Sequence, residues 1–236
     1  MTAFAERLAR VEERIHEACR RSGRSRDFVA LMAVSKTHPA EAIAEALAAG
    51  VTLFGENRVQ EFEAKSRRLA EIGAAGAAVH LIGHLQSNKS TKAAELFAGI
   101  QSVDSLRLAE RLDHAAGDLG KQLPILLEIK LSSEATKTGF DPASPELRTC
   151  LERLPDLRNL TLRGLMTIAP FDENPETGRA CFRHLRGLQN LLARDFPALD
   201  FRELSMGMSG DFEIAIEEGS TLVRIGTALF GERPRR

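Results

Sequence analysis

Phe28-Val-Ala-Leu-Met-Ala-Val34-Ser-Lys36-Thr-His-Pro39 is the stretch that decides the fold of this chain. The run from Phe28 to Val34 is apolar and uncharged and lies between Asp27 and Pro39, so it is better predicted as a buried strand than as a helix. Lys36 stands at the carboxyl end of that strand. A buried amine favours its neutral form, which is a nucleophile towards carbonyl groups. The alternative is a lysine that only extends its charged end to solvent.

Strands and helices alternate along the rest of the chain. Apolar runs predict seven further strands, at residues 51–54, 80–84, 100–103, 125–131, 163–168, 201–205 and 222–225. Helices are predicted between them, at residues 39–50, 58–72, 89–97, 105–120, 145–154, 175–194 and 211–218, with a last turn at 228–230. An additional amphipathic helix over 3–22 precedes the first strand and presents Phe4, Leu8, Val11, Ile15 and Cys19 on one face.

This repeated strand–helix pattern predicts an α/β fold with parallel strands and right-handed crossovers. Eight such units in 236 residues match the size of a closed (β/α)8 TIM barrel. An open doubly wound sheet is the alternative, but no glycine-rich dinucleotide fingerprint follows the first strand. No linker or shift in composition divides the chain, so we expect a single domain over residues 1–236.

Composition narrows the class of protein. The net charge of −1 gives no general attraction to nucleic acid or to an anionic membrane. No run is long enough to span a membrane, and the first twenty residues lack the apolar core of a signal peptide. Cys19, Cys150 and Cys181 are widely spaced, which favours buried thiols over disulfides or a zinc site. We therefore expect a cytoplasmic protein, and a barrel without an obvious apolar patch is compatible with a monomer.

Functional groups of such barrels lie at the carboxyl ends of the strands. The residues that fall at predicted strand ends are Lys36, Asn57, His84, Met166, Ser205 and Gly226. Their convergence favours a chemical role for Lys36 over the solvent-directed alternative. A lone histidine such as His84 is more often structural. Lys137, in the irregular loop after the fifth strand, is expected to be a solvated loop residue or, alternatively, to hold a second ligand.

Two neighbouring loops have the features of a phosphate site. Ser205-Met-Gly207-Met-Ser209-Gly210-Asp211 follows the seventh strand, and Arg224-Ile-Gly226-Thr227 follows the eighth. Glycines let the backbone approach a ligand, and hydroxyls and helix N–H groups bind phosphate oxygens. Ordinary turns and helix caps explain each loop alone. Barrels most often bind phosphate at these two loops, which favours the phosphate interpretation.

Arg224 alternates in step with Leu222 and Gly226, so it is predicted to face the lumen if Gly226 does. Its charge cannot be shed, and it requires a buried carboxylate or a ligand acceptor such as a ring nitrogen. A lysine able to form an imine, a phosphate cradle and an arginine in one barrel mouth suggest pyridoxal 5′-phosphate (PLP). Lys36 would take the aldehyde and Arg224 would face the pyridine nitrogen.

Motifs along the chain resemble those of the YggS/PROSC family of pyridoxal phosphate homeostasis proteins. They are Ala33-Val-Ser-Lys36-Thr, Phe54-Gly-Glu-Asn57, His80-Leu-Ile-Gly-His-Leu-Gln-Ser-Asn-Lys89, Gly164-Leu-Met-Thr-Ile168, Leu204-Ser-Met-Gly-Met-Ser209-Gly-Asp211 and Gly219-Ser-Thr-Leu-Val-Arg-Ile-Gly226. The resemblance implies a fold similar to the barrel domain of alanine racemase and an internal aldimine at Lys36. The other cofactor-binding residues that it implies are Asn57, Ser205, Ser209, Arg224, Gly226 and Thr227.

An arginine at the pyridine nitrogen keeps that nitrogen unprotonated and weakens the ring as an electron sink. In alanine racemase, the resemblance implies, a tyrosine from an additional domain is the second base, and this chain contains no tyrosine. We therefore predict a non-catalytic protein that binds PLP, buffers it and delivers it to apo-forms of PLP enzymes. A PLP-dependent racemase with an unassigned second base is the main alternative. A lysine-imine aldolase that works without PLP is another.

Overall fold

The structure is a computed structural model in which residues 2–131, 138–170, 172 and 174–231 are described. Its eight strands are all parallel and close into one barrel in the order β1 to β8, which confirms the predicted TIM barrel. The strands are β1 Ala30–Val34, β2 Leu53–Glu56, β3 Ala78–Leu81, β4 Gly99–Val103, β5 Leu123–Glu128, β6 Leu160–Met166, β7 Glu203–Ser205 and β8 Leu222–Ile225.

Helices alternate with the strands, as the sequence predicted. The α-helices are α1 Ala3–Arg21, α2 Ala40–Ala48, α3 Val59–Glu71, α4 Ser90–Leu96, α5 Leu106–Asp118, α6 Pro145–Arg153, α7 Pro175–Asp195, α8 Phe212–Glu217 and α9 Thr227–Phe230. Within the described ranges, none of these helices is long and apolar enough to cross a membrane. Lys137 and the basic end of the chain at 233–236 lie outside the described residues.

Side chains along the strands point alternately into the barrel lumen and into the layer between the sheet and the helices. Met32, Val34 and Leu222 belong to a small apolar cluster of their own, whereas Ala33 and Val223 join the large core. Because successive side chains of a strand point to opposite faces, β1 and β8 each have one face towards the lumen and one towards the helices. Lys36 and Arg224 follow the alternation of the small cluster.

Several strand boundaries differ from the prediction. Phe28 lies in a short 3-10 turn and is 69% exposed, so β1 begins only at Ala30. β3 ends at Leu81, where its ladder with β2 ends, and His84 is therefore in the following loop. β5 ends at Glu128 instead of residue 131. In each case the apolar run is longer than the segment that pairs with its neighbours.

Helix α1 packs beside the barrel, as its amphipathic pattern predicted. Its buried face contacts α8 and α9, the short helices that follow β7 and β8. Three arginines of α1, spaced seven residues apart, reach these helices. Arg7 Nε donates to Leu229 O at 2.5 Å, Arg14 Nε to Glu213 Oε1 at 2.7 Å, and Arg21 Nε to Glu217 Oε1 at 2.8 Å. The added N-terminal helix thus braces the elements that carry the two glycine-containing loops.

Candidate functional site

The turn after β1 presents Lys36 at the mouth of the barrel. Ser35 is fully buried, Lys36 is half-buried, and Thr37 has φ 68°. Thr37 is the one non-glycine residue in the described part of the chain with a positive φ. This conformation costs an ordinary residue roughly 1–2 kcal/mol, so the surrounding structure must impose it. The backbone on both sides of Lys36 is therefore held in a specified shape.

A buried ion cluster lies behind this turn. Lys65 Nζ donates to Ser35 O at 2.9 Å and to Glu56 Oε1 at 2.7 Å, and it lies 2.8 Å from Glu61 Oε1. Sequence reasoning missed this cluster, although one signal was present. Lys65 lies on the apolar stripe of α3, which also contains Val59, Phe62 and Leu69, and a lysine in that position needs a carboxylate partner.

Arg224 is buried in the barrel and only 4% exposed. Its Nη1 donates to Ser205 Oγ at 2.7 Å, and its Nη2 donates to Thr167 O at 2.8 Å. No carboxylate among the described residues forms an ion pair with it, so the first of the two alternative partners, a buried carboxylate, is not in contact. Burial lowers the pKa of Arg224 to about 10, and the more distant Asp211 and Glu128 oppose that shift. The guanidinium therefore keeps its charge at neutral pH.

Ser205 belongs to a polar chain that crosses the lumen. Its hydroxyl accepts from Arg224 and donates to Gln101 Oε1 at 2.7 Å, and Gln101 Nε2 lies 3.2 Å from His80 Nδ1. Burial lowers the pKa of His80 to about 4, which keeps its ring neutral at physiological pH. The fully buried Ser205 hydroxyl therefore orients Arg224 here, and its expected contact with phosphate stays a prediction. Gln101 was not identified in advance.

The loops after β7 and β8 lie against each other, as expected of a shared cradle. Ser209 Oγ accepts from the backbone N–H groups of Gly226 at 3.3 Å and Ala228 at 3.4 Å. Thr227, the first residue of α9, is exposed beside them. Gly207 has φ 94°, and a Cβ there would lie 2.6 Å from the Cβ of Ala215, so this loop packs tightly onto α8. Ser209, Gly226 and Thr227 are thus brought together.

The ends of β2, β3 and β5 add further polar side chains near the mouth. Asn57, half-buried just after β2, has the β3 loop directly against its backbone, because a Cβ at Gly83 would lie 2.4 Å from Asn57 O. His84 is 51% exposed, and its Nδ1 lies 3.1 Å from Asp104 Oδ2. Glu128 ends β5 and accepts from Thr138 Oγ1 at 3.2 Å. Burial raises the pKa of Glu128, an effect that this hydrogen bond partly offsets.

Comparison with known proteins identifies relatives that cover the whole barrel. The family model described as alanine racemase, N-terminal domain, matches residues 7–234. The pyridoxal phosphate homeostasis protein of Escherichia coli (strain K12) is 44% identical over 235 residues, covering 99% of this chain and 98% of that protein. The protein of the same name from Aquifex aeolicus is 43% identical, with 97% of each chain covered.

Solved structures give the same relationship. PipY of Synechococcus elongatus PCC7942, with PLP bound, is 46% identical with a TM-score of 0.85, covering 97% of this chain and 100% of that one. An alanine racemase from Clostridium difficile 630 is 18% identical with a TM-score of 0.67, covering 96% of this chain and 57% of the longer racemase, and shares the fold alone. The family resemblance of the motifs is therefore confirmed: the chain belongs to the alanine racemase N-terminal domain family and, within it, to the pyridoxal phosphate homeostasis proteins.

Proposed function

We propose that this protein binds PLP in the mouth of its barrel and serves PLP homeostasis by holding the cofactor and delivering it to apo-forms of PLP enzymes. Relatives of nearly equal length carry the homeostasis name, and the similar PipY has been solved with PLP bound. The proposal includes a single-domain, monomeric, cytoplasmic protein without robust catalysis of its own, as we expected from the sequence.

The observation that carries the proposal is the match between the mouth and three groups of PLP. An amine suits the aldehyde, a buried guanidinium suits the ring nitrogen, and hydroxyl and backbone N–H groups suit the phosphate. Arg224 has five N–H donors, of which the bonds to Ser205 and Thr167 use two. The donor set of the described residues therefore fits the cofactor.

We assign covalent attachment to Lys36 and phosphate binding to Ser209, Gly226 and Thr227. Arg224 would face the ring nitrogen and Asn57 would lie beside the ring. We assign Ser205 to the support of Arg224, because its hydroxyl is already engaged in the lumen. When bound, PLP supplies an electrophilic aldehyde and an electron-withdrawing ring. Arg224, charged at neutral pH, would keep the ring nitrogen unprotonated and so limit carbanion chemistry.

A racemase of the alanine racemase type is the competing function. It needs a base on each face of the substrate carbon, and the chain has no tyrosine to act as the second. Loss of general acid–base assistance costs typically ~10²–10⁴-fold in rate. The solved alanine racemase is 18% identical and shares the fold alone, so it lends the racemase function no further weight.

The test combines a spectrum, a chemical label and two assays. Holo-protein should absorb in the visible, and borohydride should bleach it while fixing the label on Lys36. Lys36→Ala should abolish both the absorbance and the label. The holo-protein should reactivate an apo-form PLP enzyme. It should not racemise alanine during a long incubation, as measured by chiral chromatography. A colourless protein with an imine-forming lysine would indicate the aldolase, and Lys36-dependent racemisation would restore the racemase.

A further inference from the structure

Lys36 is flanked by two residues that are bonded to one buried ion cluster. We call Glu56, Glu61 and Lys65 the Lys65 cluster. On one side, Ser35 O accepts from Lys65 Nζ at 2.9 Å and Ser35 Oγ donates to Glu56 Oε1 at 2.7 Å. On the other side, Thr37 N donates to Glu61 Oε1 at 2.5 Å. A single ammonium group thus joins the backbone before Lys36 to the backbone after it.

The cluster is costly to bury. Lys65 is 9% exposed and Glu56 is fully buried, on the face of β2 that packs against α3. Burial raises the pKa of Glu56, an effect that Lys65 only partly offsets. The second oxygen of Glu56 has no hydrogen-bond partner among the described residues. Well-packed apolar residues often stabilise such a location at least as well as an ion pair, so packing alone does not account for these charges.

The bonds of the cluster hold the turn around Lys36 in one conformation. Thr37 is held at φ 68° by the bond from its N–H to Glu61, and Ser35 is held by both its carbonyl and its hydroxyl. Lys36 itself remains half-buried between them. Covalent capture of an aldehyde needs the amine in a narrow range of positions, and an error of about 1 Å can cost ~10²-fold.

We propose that Lys65, with Glu56 and Glu61, is a positioning residue that fixes the Ser35–Thr37 backbone so that Lys36 can attach to the cofactor. The proposal rests on the proposed function. It assigns the cluster to the covalent step and leaves recognition of the ring nitrogen and the phosphate to Arg224 and to the loops after β7 and β8. Loss of the cluster should therefore separate aldehyde capture from ligand recognition.

Two ligands that differ only at the reacting carbon provide the test. PLP carries an aldehyde, whereas pyridoxine 5′-phosphate carries an alcohol and cannot bond to Lys36. Lys65→Met should weaken binding of PLP by about 10- to 100-fold and slow borohydride labelling of Lys36. Binding of pyridoxine 5′-phosphate, measured by calorimetry, should change by less than about threefold. A role in packing alone would weaken both ligands equally.

Matched variants guard against a fold defect. Glu61→Gln keeps an oxygen acceptor for Thr37 N and should largely preserve PLP capture, whereas Glu61→Leu removes the acceptor and should reproduce the selective loss. Arg163→Met breaks another ion pair, Arg163 Nε to Glu203 Oε1 at 3.1 Å near the start of β7, and should leave the ratio of the two affinities unchanged. If Lys65→Met does not fold, the Glu61 pair decides.

The outcomes separate this inference from the proposed function. Wild-type protein that fails to bind PLP would overturn the proposed function. Wild-type protein that binds PLP, with equal losses for both ligands in Lys65→Met and Glu61→Leu, would overturn the positioning role alone.

Discussion

The two sides of the barrel mouth are built on different physical principles. Beside β1 and β2, the turn of Lys36 is fixed by the Lys65 cluster, in which Glu56 is fully buried, Lys65 is 9% exposed and Glu61 is 27% exposed. Beside β7 and β8, the loops are shaped by glycine and packed on α8, and α8 is held by ion pairs at the surface. Examples are Arg14 with Glu213 at 2.6 Å and Arg21 with Glu217 at 2.8 Å.

This difference corresponds to the role that we propose for each side. Covalent attachment requires one side chain at one position, and desolvated charges provide strong, directional restraint. Phosphate recognition requires close approach of the backbone, which small residues permit and a side chain would block. Surface ion pairs can then support the loops without setting their conformation. Three further predictions compare the buried ion cluster with the glycine-shaped loops and their surface ion pairs.

Gly207→Ala should have the largest effect. A Cβ at φ 94° is strained, and it would lie 2.6 Å from the Cβ of Ala215 and 3.0 Å from the Cα of Phe212. We expect the free energy of unfolding, measured by urea titration, to fall by about 2–4 kcal/mol. Binding of pyridoxine 5′-phosphate should weaken as the loop shifts away from α8.

Gly210→Ala is the matched control in the same loop. No atom lies within 4 Å of a Cβ built there, and its φ is not in the left-handed region. We expect a change below about 0.5 kcal/mol, as for an ordinary surface substitution. Equal effects at Gly207 and Gly210 would contradict the idea that close packing on α8 shapes this side.

Glu217→Gln should have a moderate effect that depends on pH. Burial opposes ionisation of Glu217, but hydrogen bonds from Arg21 and Arg179 outweigh it and lower the pKa. Its stabilisation is therefore present above the unfolded pKa of about 4.3 and is lost as the pH falls through the lower folded value. We expect a loss of about 0.5–1 kcal/mol at pH 7 that vanishes in acid.

The Lys65 cluster provides the contrast for this titration. The pKa of Glu56 is raised, so its contribution is fully present below the unfolded pKa and declines as the pH rises through the folded value. Unfolding of wild type, Glu217→Gln and Glu56→Gln at pH 3 to 8 compares the two sides directly. If the change in unfolding free energy relative to wild type had the same pH dependence in both variants, the distinction between the surface ion pairs and the Lys65 cluster would be contradicted.

The fold could be predicted because each strand is an apolar run with helical segments on either side. β8 has the predicted bounds, Leu222–Ile225, because Gly219 before it and Gly226 after it interrupt the pattern. The prediction placed β3 too far along the chain, because the run through Ile82 stays apolar after pairing with β2 has ended. Strand ends in a barrel depend on the register with neighbours, which one sequence does not contain.

Part of the site could be predicted as well. The alternation of Leu222, Arg224 and Gly226 indicated a lumenal arginine, and the structure buries Arg224 in the barrel. Its partners could not be predicted, because Ser205 and Thr167 are distant in the chain and meet it only through barrel closure. The cluster around Lys65 was hidden for the same reason: Ser35 and Glu56 become its neighbours only when α3 packs on the sheet.

Arg14→Met should have the smallest effect. Arg14 lies 2.6 Å from Glu213 and 4.6 Å over the ring of Phe212, but its side chain is 45% exposed. An exposed pair gains little over hydration, and methionine keeps the apolar stem against the ring. We expect thermal unfolding to show a loss below about 0.5 kcal/mol at low salt and a smaller one in 1 M NaCl. Arg14→Lys, which keeps the charge, is the control. A loss above about 2 kcal/mol, unchanged by salt, would mean that α1 sets the shape of the β7–β8 side and does more than support it.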